Sequence, residues 1–252
     1  MFQRLAVIAV GLWCGLTGSS WAQSCSSSSA QQPLAVVELY TSQGCSSCPP
    51  ADRWLSSLQT RPDVLAMAFH VSYWNYLGWK DPFATAQTTQ RQALLKNVIG
   101  GDSVYTPQVT VNGADERAWS RRRAQDLPTL QVPGAPTVAV QRQGDAVTAQ
   151  VSANANASAS AGSAPPRWAG YWVVLQDGQQ TQVRAGENAG RQLRNDHVVV
   201  HYEPVPAWPS AQAQHFILHA VTSPTQRVAF VVTQDNGIVP VQAAVLSCAR
   251  AG

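Results

Sequence analysis

The sequence predicts an α/β domain, with a mixed sheet flanked by helices, followed by an antiparallel β-sandwich domain. Two apolar β-prone runs enclose an amphipathic stretch between residues 34 and 71, the strand–helix–strand order of a parallel pair with a right-handed crossover. After a proline-rich segment at 128–136, apolar residues alternate with period two, as in a sandwich. The composition, 45% hydrophobic and 12% charged, permits a sizeable buried core.

The first element, residues 1–22, has the features of a cleaved secretory signal peptide. An apolar run from Leu5 to Leu16 is followed by small residues at Ser20 and Ala22, the positions that a signal peptidase inspects. A membrane anchor is the alternative, but the run is shorter than a bilayer requires. We therefore predict a periplasmic or secreted protein with no stable membrane anchor after cleavage. Residues 23–33 are then an N-terminal tail.

The predicted α/β domain spans residues 34–127. Its elements are strands from Leu34 to Thr41 and Val64 to Val71, helices from Pro49 to Thr60, Ala84 to Val98 and Glu116 to Gln125, and a strand after Pro107 that ends in an Asn-Gly turn. The prolines at 49 and 50 have no N–H donor and fit only the start of a helix. The first helix should therefore begin close to Cys45 or Ser46.

Cys45 and Cys48 form a Cys-x-x-Cys motif between the first strand and the first helix. Free N–H groups and the dipole at a helix start favour a thiolate. Cys45 is expected to be the more exposed sulfur with the lower pKa, and hence the nucleophile. Cys48 would then resolve the mixed disulfide.

Cysteine counting predicts a second bridge. Cleavage of the signal removes Cys14 and leaves four cysteines, which allow three pairings. If Cys45 pairs with Cys48, then Cys25 and Cys248 remain as partners at the two ends of the mature chain. Chain ends often lie close together at a domain surface, so we predict a structural disulfide between them. The alternative is a free Cys25 thiol in a serine-rich tail.

The second domain is predicted to cover residues 137–250, after the linker at 128–136. Its short strands are expected at 137–141, 146–152, 171–176, 181–184, 198–202, 215–221, 228–233 and 239–246. The Ala/Ser-rich stretch from Ser152 to Ala164 offers too little apolar area to order itself and is predicted to be a flexible loop.

Several side chains are candidates for supporting roles near the motif. Tyr73, Trp74 and Trp79 belong to a long aromatic segment that forms either a lid beside the Cys pair or the anchor of a loop. Glu38, in the strand that leads to the motif, is a possible proton acceptor for Cys48. The strand pattern equally allows Glu38 to face solvent or to have a structural role.

Metal, cofactor and nucleic-acid sites find little support. His70 stands at the end of the second strand and could join Cys45 and Cys48 in a copper site, although a histidine there is more often structural. The chain shows no phosphate-binding glycine loop and indicates no cofactor. Its basic cluster, Arg121 to Arg123, is typical of a solvated helix face, so no nucleic-acid partner is predicted.

The Cys-x-x-Cys and the Thr106-Pro107 start of a strand together resemble the thioredoxin superfamily, in which a cis-proline faces the Cys pair. The opening segment from Val37 to Cys48 is most similar to glutaredoxins. The resemblance implies a thioredoxin-like fold for residues 34–127, a cis peptide before Pro107, and a Thr106 backbone that holds a bound thiol-containing chain.

A closer resemblance covers nearly the whole mature chain. It rests on the segment from Val36 to Asp52, Tyr73-Trp74, the stretch Leu77 to Asp81, Arg91-Gln92, Val104 to Gln108, Gly186-Glu187-Asn188 and Gly190-Arg191. These motifs identify the chain as a member of an exported bacterial family, domain of unknown function 1223. The chain departs from the family pattern at Ser72, where an Asp is usual, and in its short strand after the Asn-Gly turn.

These observations predict an exported protein that performs thiol–disulfide exchange through Cys45 and Cys48, with Pro107 and Thr106 orienting the partner. The expected partners are exported proteins that contain thiols or disulfides, or small thiols. Two alternatives remain open: a non-catalytic binding protein in which Cys45–Cys48 is a permanent bridge, and a copper chaperone that uses His70. Whether the protein is an enzyme is left undecided.

Overall fold

The protein is a mostly β structure. The computed structural model describes residues 24–153, 166–220, 223 and 226–248, of which 41% lie in strands and 16% in helices. The helices are α1 (Pro49–Ser56) and α2 (Ala86–Val98), with short 3-10 helices at Ser57–Thr60, Asn75–Leu77, Trp119–Arg121 and Ala124–Asp126. The predicted signal peptide lies outside the described residues, as does the predicted Ala/Ser loop from residue 154 onward.

The strands follow one another along the described chain. They are β1 (Ser24–Ser28), β2 (Ala35–Thr41), β3 (Val64–His70), β4 (Gln108–Val111), β5 (Ala114–Asp115), β6 (Val138–Gln143), β7 (Ala146–Val151), β8 (Arg167–Gln176), β9 (Gln179–Gln182), β10 (Gln192–Asn195), β11 (Val198–Pro209), β12 (Gln214–Leu218), β13 (Arg227–Gln234) and β14 (Pro240–Leu246).

These strands form three sheets. The largest has eight strands in the order β14-β13-β8-β11-β3-β2-β4-β5. Its β2 and β3 pair in parallel, as do β3 and β11 through Val198 and Ala68, and its other neighbours are antiparallel. A second sheet has the order β1-β6-β7-β12, and β9 pairs with β10 in a separate hairpin.

The eight-stranded sheet is covered on both faces. On one face a continuous apolar cluster runs from Met67 and Phe69 of β3 to Tyr171 and Val173 of β8, and Leu95 of α2 packs onto it. The opposite face carries α1 at one end and the four-stranded sheet at the other. Alternating residues of each strand therefore enter different cores.

The predicted fold class, a helix-flanked α/β domain followed by a sandwich, is wrong. The protein is mostly β, and β11, from the second half of the chain, extends the sheet that contains β2 and β3. Because β3 is buried along its whole length, the backbone groups at its edge need hydrogen-bond partners. One of them, Ala68 N, donates to His197 O over 2.8 Å at the start of β11. Local periodicity indicates a strand but not its partner.

Two further segments differ from expectation. The predicted helix from Glu116 to Gln125 is replaced by two short 3-10 helices, and Glu116 instead pairs with Arg122. Ser24–Ser28, expected in the tail, forms β1 and pairs with β6. The segment 128–136 contains no helix or strand, whereas the division of the chain into domains at its limits stays a prediction.

A disulfide joins Cys25 of β1 to Cys248, just after β14, with the two Cα atoms 5.8 Å apart. The bridge links residues that are 223 positions apart in the sequence. It therefore ties the first described strand to the end of the last one.

Helix α2 is fixed to the large sheet by a buried ion pair. Arg91 Nη2 donates to Glu38 Oε1 over 2.6 Å, and both side chains are almost wholly inaccessible. The hydroxyls of Tyr40 and Tyr171 donate to the same Glu38 carboxylate. The Arg91 guanidinium also lies 4.1 Å from the centre of the Tyr171 ring.

Candidate active site

The Cys45–Cys48 disulfide lies at the carboxyl end of β2, immediately before α1. Its Cα atoms are 5.5 Å apart, and Cys48 is the residue that caps α1. The helix therefore begins at Pro49, later than the predicted start near Cys45 or Ser46. Both cysteines are 0% exposed, so the expectation that Cys45 is the more exposed sulfur is wrong.

Gln43, two residues before Cys45, holds the preceding loop in place. Its backbone N–H donates to Asp81 Oδ2 over 2.8 Å, and its side-chain amide donates to Asn195 Oδ1 over 3.0 Å. Its side-chain oxygen accepts from Trp79 Nε1. The loop is thus bound both to the aromatic segment and to the end of β10.

The loop between β9 and β10 covers the disulfide. Asn188 is fully buried, and its Nδ2 donates to the carbonyls of Gln43, over 3.0 Å, and Cys45, over 2.8 Å. The neighbouring Glu187 accepts the backbone N–H of Ser46 over 2.8 Å. We call Gly186, Glu187 and Asn188 the arm tip, and the β9–β10 hairpin that carries it the arm.

A buried group of ionisable residues lies beside α1. Asp52, the fourth residue of the helix after Cys48, is on the same helical face as that cysteine, because residues four apart are neighbours on a helix. His70, at the end of β3, lies 2.7 Å through Nδ1 from Asp81 Oδ2, with both side chains inaccessible. Among the described residues, Asp52 Oδ1 and His70 Nε2 have no hydrogen-bond partner.

The pKa values of this group are displaced from their ordinary values. Burial raises the pKa of Asp52 to about 6, against the opposing charge of His70. Burial alone would lower the pKa of His70, but the adjacent Asp81 and then Asp52 raise it overall. Burial likewise opposes ionisation of Asp81, yet His70 and two backbone N–H donors lower its pKa. Asp52 is therefore a carboxyl group that can exchange its proton close to neutral pH.

Trp74 connects the motif to Thr106. A Cβ atom on Gly44 would lie 3.0 Å from the Cβ of Trp74, so the close approach of this tryptophan requires glycine before Cys45. Trp74 Nε1 donates to Thr106 Oγ1 over 2.7 Å. Tyr76, 78% exposed, stacks on Trp74 with 6.5 Å between ring centres. Tyr73 also contacts Trp74, with ring centres 6.4 Å apart.

Pro107 precedes β4, which pairs with β2, and the Thr106–Pro107 peptide bond is cis. Tyr40, at the end of β2, is opposite Gln108, the first residue of β4. Thr106 and Pro107 therefore lie at the same end of the sheet as the loop that carries the Cys pair.

Glu38 is placed differently from the predicted proton acceptor. Leu39, the next residue, packs with Leu55 of α1, so Glu38 faces the other side of β2, where it meets Arg91. Its carboxylate is held by Arg91, Tyr40 and Tyr171, a structural role. Sequence reasoning missed Asp52 for this position, although Asp52 belongs to the motif that carries the family resemblance.

A copper site gains no support within the described ranges. No group of three or more His, Cys, Asp or Glu residues there is arranged to hold a metal ion, and the Nδ1 atom of His70 is engaged by Asp81. In the same ranges, no helix is long and apolar enough to cross a membrane. Two of the clustered arginines, Arg122 and Arg123, pair locally with Glu116 and Asp126.

A family model described as "Protein of unknown function (DUF1223)" matches residues 36–234. The chain belongs to this family. The matched range includes the Cys pair, Asp52, the aromatic segment and the arm tip, so the site described above lies wholly within the DUF1223 region. No curated protein matches this DUF1223 chain.

Two solved structures are similar to this DUF1223 protein. Protein AGR_C_4864 from Agrobacterium tumefaciens is 28% identical, with a TM-score of 0.65, and the match covers 88% of this chain and 98% of that one. HBP35 of Porphyromonas gingivalis is 13% identical, with a TM-score of 0.53, and the match covers 86% of this chain and 75% of that one. The second likeness concerns the fold alone.

Proposed function

We propose that this DUF1223 protein performs thiol–disulfide exchange through Cys45 and Cys48. The observation that carries the proposal is the position of Asp52, a buried carboxyl group one helical turn after Cys48 with a pKa of about 6. A group with this pKa can accept the proton of a neighbouring thiol and return it near neutral pH. A bridge with a purely structural role has no use for such a group.

In the reducing direction, the Cys45 thiolate attacks one sulfur of a partner disulfide, and the other partner sulfur leaves as a thiolate. Asp52 accepts the proton of the Cys48 thiol. The Cys48 thiolate then attacks Cys45 Sγ, which forms the Cys45–Cys48 bond and releases the second partner thiolate. Two electrons pass from the Cys pair to the partner. The same steps in reverse oxidise a partner dithiol, and Asp52 then returns its proton to Cys48.

Thr106, Pro107 and Trp74 are proposed to orient the partner. They lie at the end of the sheet that carries the motif, and Trp74 contacts both Gly44 and Thr106. The partners proposed are exported proteins with thiols or disulfides. Export is supported by the signal-like sequence at 1–22 and by two disulfides, which persist in oxidising compartments.

The reduction potential of the Cys45–Cys48 pair tests the proposal. The protein is equilibrated in graded glutathione buffers, and the thiols of each cysteine pair are counted after alkylation. We expect a potential between roughly −120 and −270 mV, the range of working exchange catalysts. A value below about −300 mV is typical of structural bridges and would contradict an exchange function.

A trapping experiment gives an independent test. Cys48→Ala removes the resolving sulfur, so we expect mixed disulfides between Cys45 and partner proteins to accumulate in the exported fraction. They are detected as bands that disappear on reduction and are identified by mass spectrometry. Cys45→Ala together with Cys48→Ala is the matched control and should trap nothing. Equal bands from both variants would exclude Cys45 as the reacting sulfur.

A second candidate function is a binding protein with a permanent Cys45–Cys48 bridge. One observation favours it: both cysteines are 0% exposed, whereas an exchange reaction needs access to a sulfur. Under this candidate, the potential lies below about −300 mV and Cys48→Ala traps no partner. The two measurements therefore separate the candidates.

A further inference from the structure

The arm tip closes the site that the proposed reaction uses. Exchange requires a thiolate to approach a sulfur in line with the S–S bond, but Cys45 and Cys48 are both 0% exposed. The residues between them, Ser46 and Ser47, are exposed, so the disulfide lies just below the surface. The cover is therefore thin and local.

The contacts of the arm tip with the motif are hydrogen bonds to the backbone. Asn188 donates to the carbonyl of Cys45, and Glu187 accepts the N–H of Ser46. Together they present one donor and one acceptor to the motif, as a length of extended polypeptide would. A peptide segment that displaced the arm tip could make both bonds itself, whereas a small thiol could not.

The arm is built in a way that allows displacement. Its strands β9 and β10 pair only with each other among the described strands, and most of their residues are partly or fully exposed. Segments with few buried apolar contacts open at low free-energy cost. The contacts on its inner side are largely polar, such as Gln43 with Asn195.

We propose that Glu187 and Asn188 are specificity-determining residues that admit cysteine-containing polypeptides to Cys45 and exclude small thiols. The inference rests on the exchange activity proposed above. An extended segment of a partner replaces the two hydrogen bonds of the arm tip and brings its cysteine to the disulfide. A small thiol must displace the arm tip without compensation, and the carboxylate of Glu187 additionally repels anionic thiolates.

Selectivity is tested by the rate at which the Cys45–Cys48 bond opens in the full-length oxidised protein. The probes are dithiothreitol and a synthetic peptide with one central cysteine. Samples are quenched with acid and alkylated, and each disulfide is followed separately by mass spectrometry. Asn188→Ala is expected to raise the rate with dithiothreitol by about tenfold, the effect of two lost hydrogen bonds of ordinary strength. The rate with the peptide should change much less.

The controls are Gln192→Ala, an exposed position on β10, and the Cys25–Cys248 bond in the same molecules. Neither should differ from the wild type in its rate with dithiothreitol. If Asn188→Ala accelerates both probes equally, or neither, the arm tip does not select between them and the inference is overturned.

Glu187→Gln provides a second variant should Asn188→Ala fold poorly. Glu187 is exposed, and glutamine retains an acceptor for Ser46 N while removing the charge. We expect the rate with 2-mercaptoethanesulfonate, an anionic thiol, to rise about twofold to threefold relative to dithiothreitol at low salt. An unchanged ratio would overturn the part of the inference that concerns charge.

The potential, measured on the same samples, separates this inference from the proposed function. A working potential with unselective rates would overturn the role of the arm tip and leave the exchange function in place. A potential below about −300 mV in both wild type and Asn188→Ala would overturn the exchange function, and the inference with it.

Discussion

Asp52 holds a charge that the folded protein disfavours at neutral pH. Burial raises its pKa from 3.8 to about 6, so the folded protein binds this proton more tightly than the unfolded chain. The contribution of Asp52 to stability is therefore greatest below pH 4 and is lost as the pH rises towards 6. By pH 7 the penalty amounts to about 3 kcal/mol. Such a cost is common at catalytic sites.

Asp52→Asn should remove this penalty. We expect the free energy of unfolding at pH 7.5, measured by urea denaturation of the oxidised protein, to increase by up to about 3 kcal/mol. The gain should fade below pH 4, where the wild-type carboxyl group is protonated in both states. Thiol exchange should become slower, because Cys48 loses its proton acceptor.

The control for this experiment is Asp102→Asn, which changes an exposed aspartate and should leave stability unaltered at either pH. A stabilisation by Asp52→Asn that was the same at pH 4 and pH 7.5 would mean that the charge of Asp52 is not its cause.

The site could be predicted from the sequence only in part. The Cys pair and the aromatic residues were identified because their spacing carries chemical meaning. Asp52 was missed because an aspartate in the first turn of a helix is ordinarily a favourable surface residue. Its burial depends on β3, which brings His70 and Asp81 to the same place. Glu187 lies 141 positions from Ser46, and no local pattern reports such a contact.

At the scale of elements, the buried ion pair between Arg91 and Glu38 decides how α2 attaches to β2. Arg91 also donates to Gly237 O and to the hydroxyl of Tyr202, so one guanidinium connects the helix to several parts of the sheet. Removal of one partner leaves the other charged and buried, which is more costly than removal of both.

Arg91→Met should therefore lower the free energy of unfolding by about 3 to 5 kcal/mol. The double variant Arg91→Met with Glu38→Gln should lose less than the sum of the two single changes, as measured by urea denaturation in a double-mutant cycle. Arg123→Met, which removes an exposed ion pair with Asp126, is the control and should have little effect. Additive losses would show that the two buried charges do not depend on each other.

Most elements were predictable because their apolar pattern is local. The strand expected at Val64 to Val71 is β3, Val64–His70, and the helix expected at Ala84 to Val98 is α2, Ala86–Val98. The strand β1 was missed because Ser24–Ser28 contains mainly serines and has no apolar alternation. Its pairing with β6 and its disulfide place it in a sheet despite this composition.

At the scale of the molecule, the pairing of β11 with β3 joins the two halves of the chain in one sheet. The prediction of a separate α/β unit failed at this point, because strand partners distant in sequence leave no periodic signal. The bridge between Cys25 and Cys248 acts at the same scale, since it encloses nearly the whole described chain.

The double variant Cys25→Ser with Cys248→Ser should lower stability through the larger freedom of its unfolded chain. We expect a loss of about 2 to 5 kcal/mol, seen as a lower midpoint in urea denaturation. The Cys45–Cys48 potential should be unaffected. Ser26→Ala with Ser247→Ala, next to the bridge, is the control. An unchanged midpoint in the cysteine variant would mean that the bridge does not constrain the unfolded chain.

The contact between Glu187 and Ser46 also has a consequence for the order of events during biogenesis. The Cys pair leaves the ribosome well before the arm, because the arm tip lies 141 positions later in the chain. Until the arm is made and folded, nothing from that part of the chain shields the two sulfurs. The cell therefore has a period, limited by synthesis and folding, in which its own oxidation machinery reaches Cys45 and Cys48 freely.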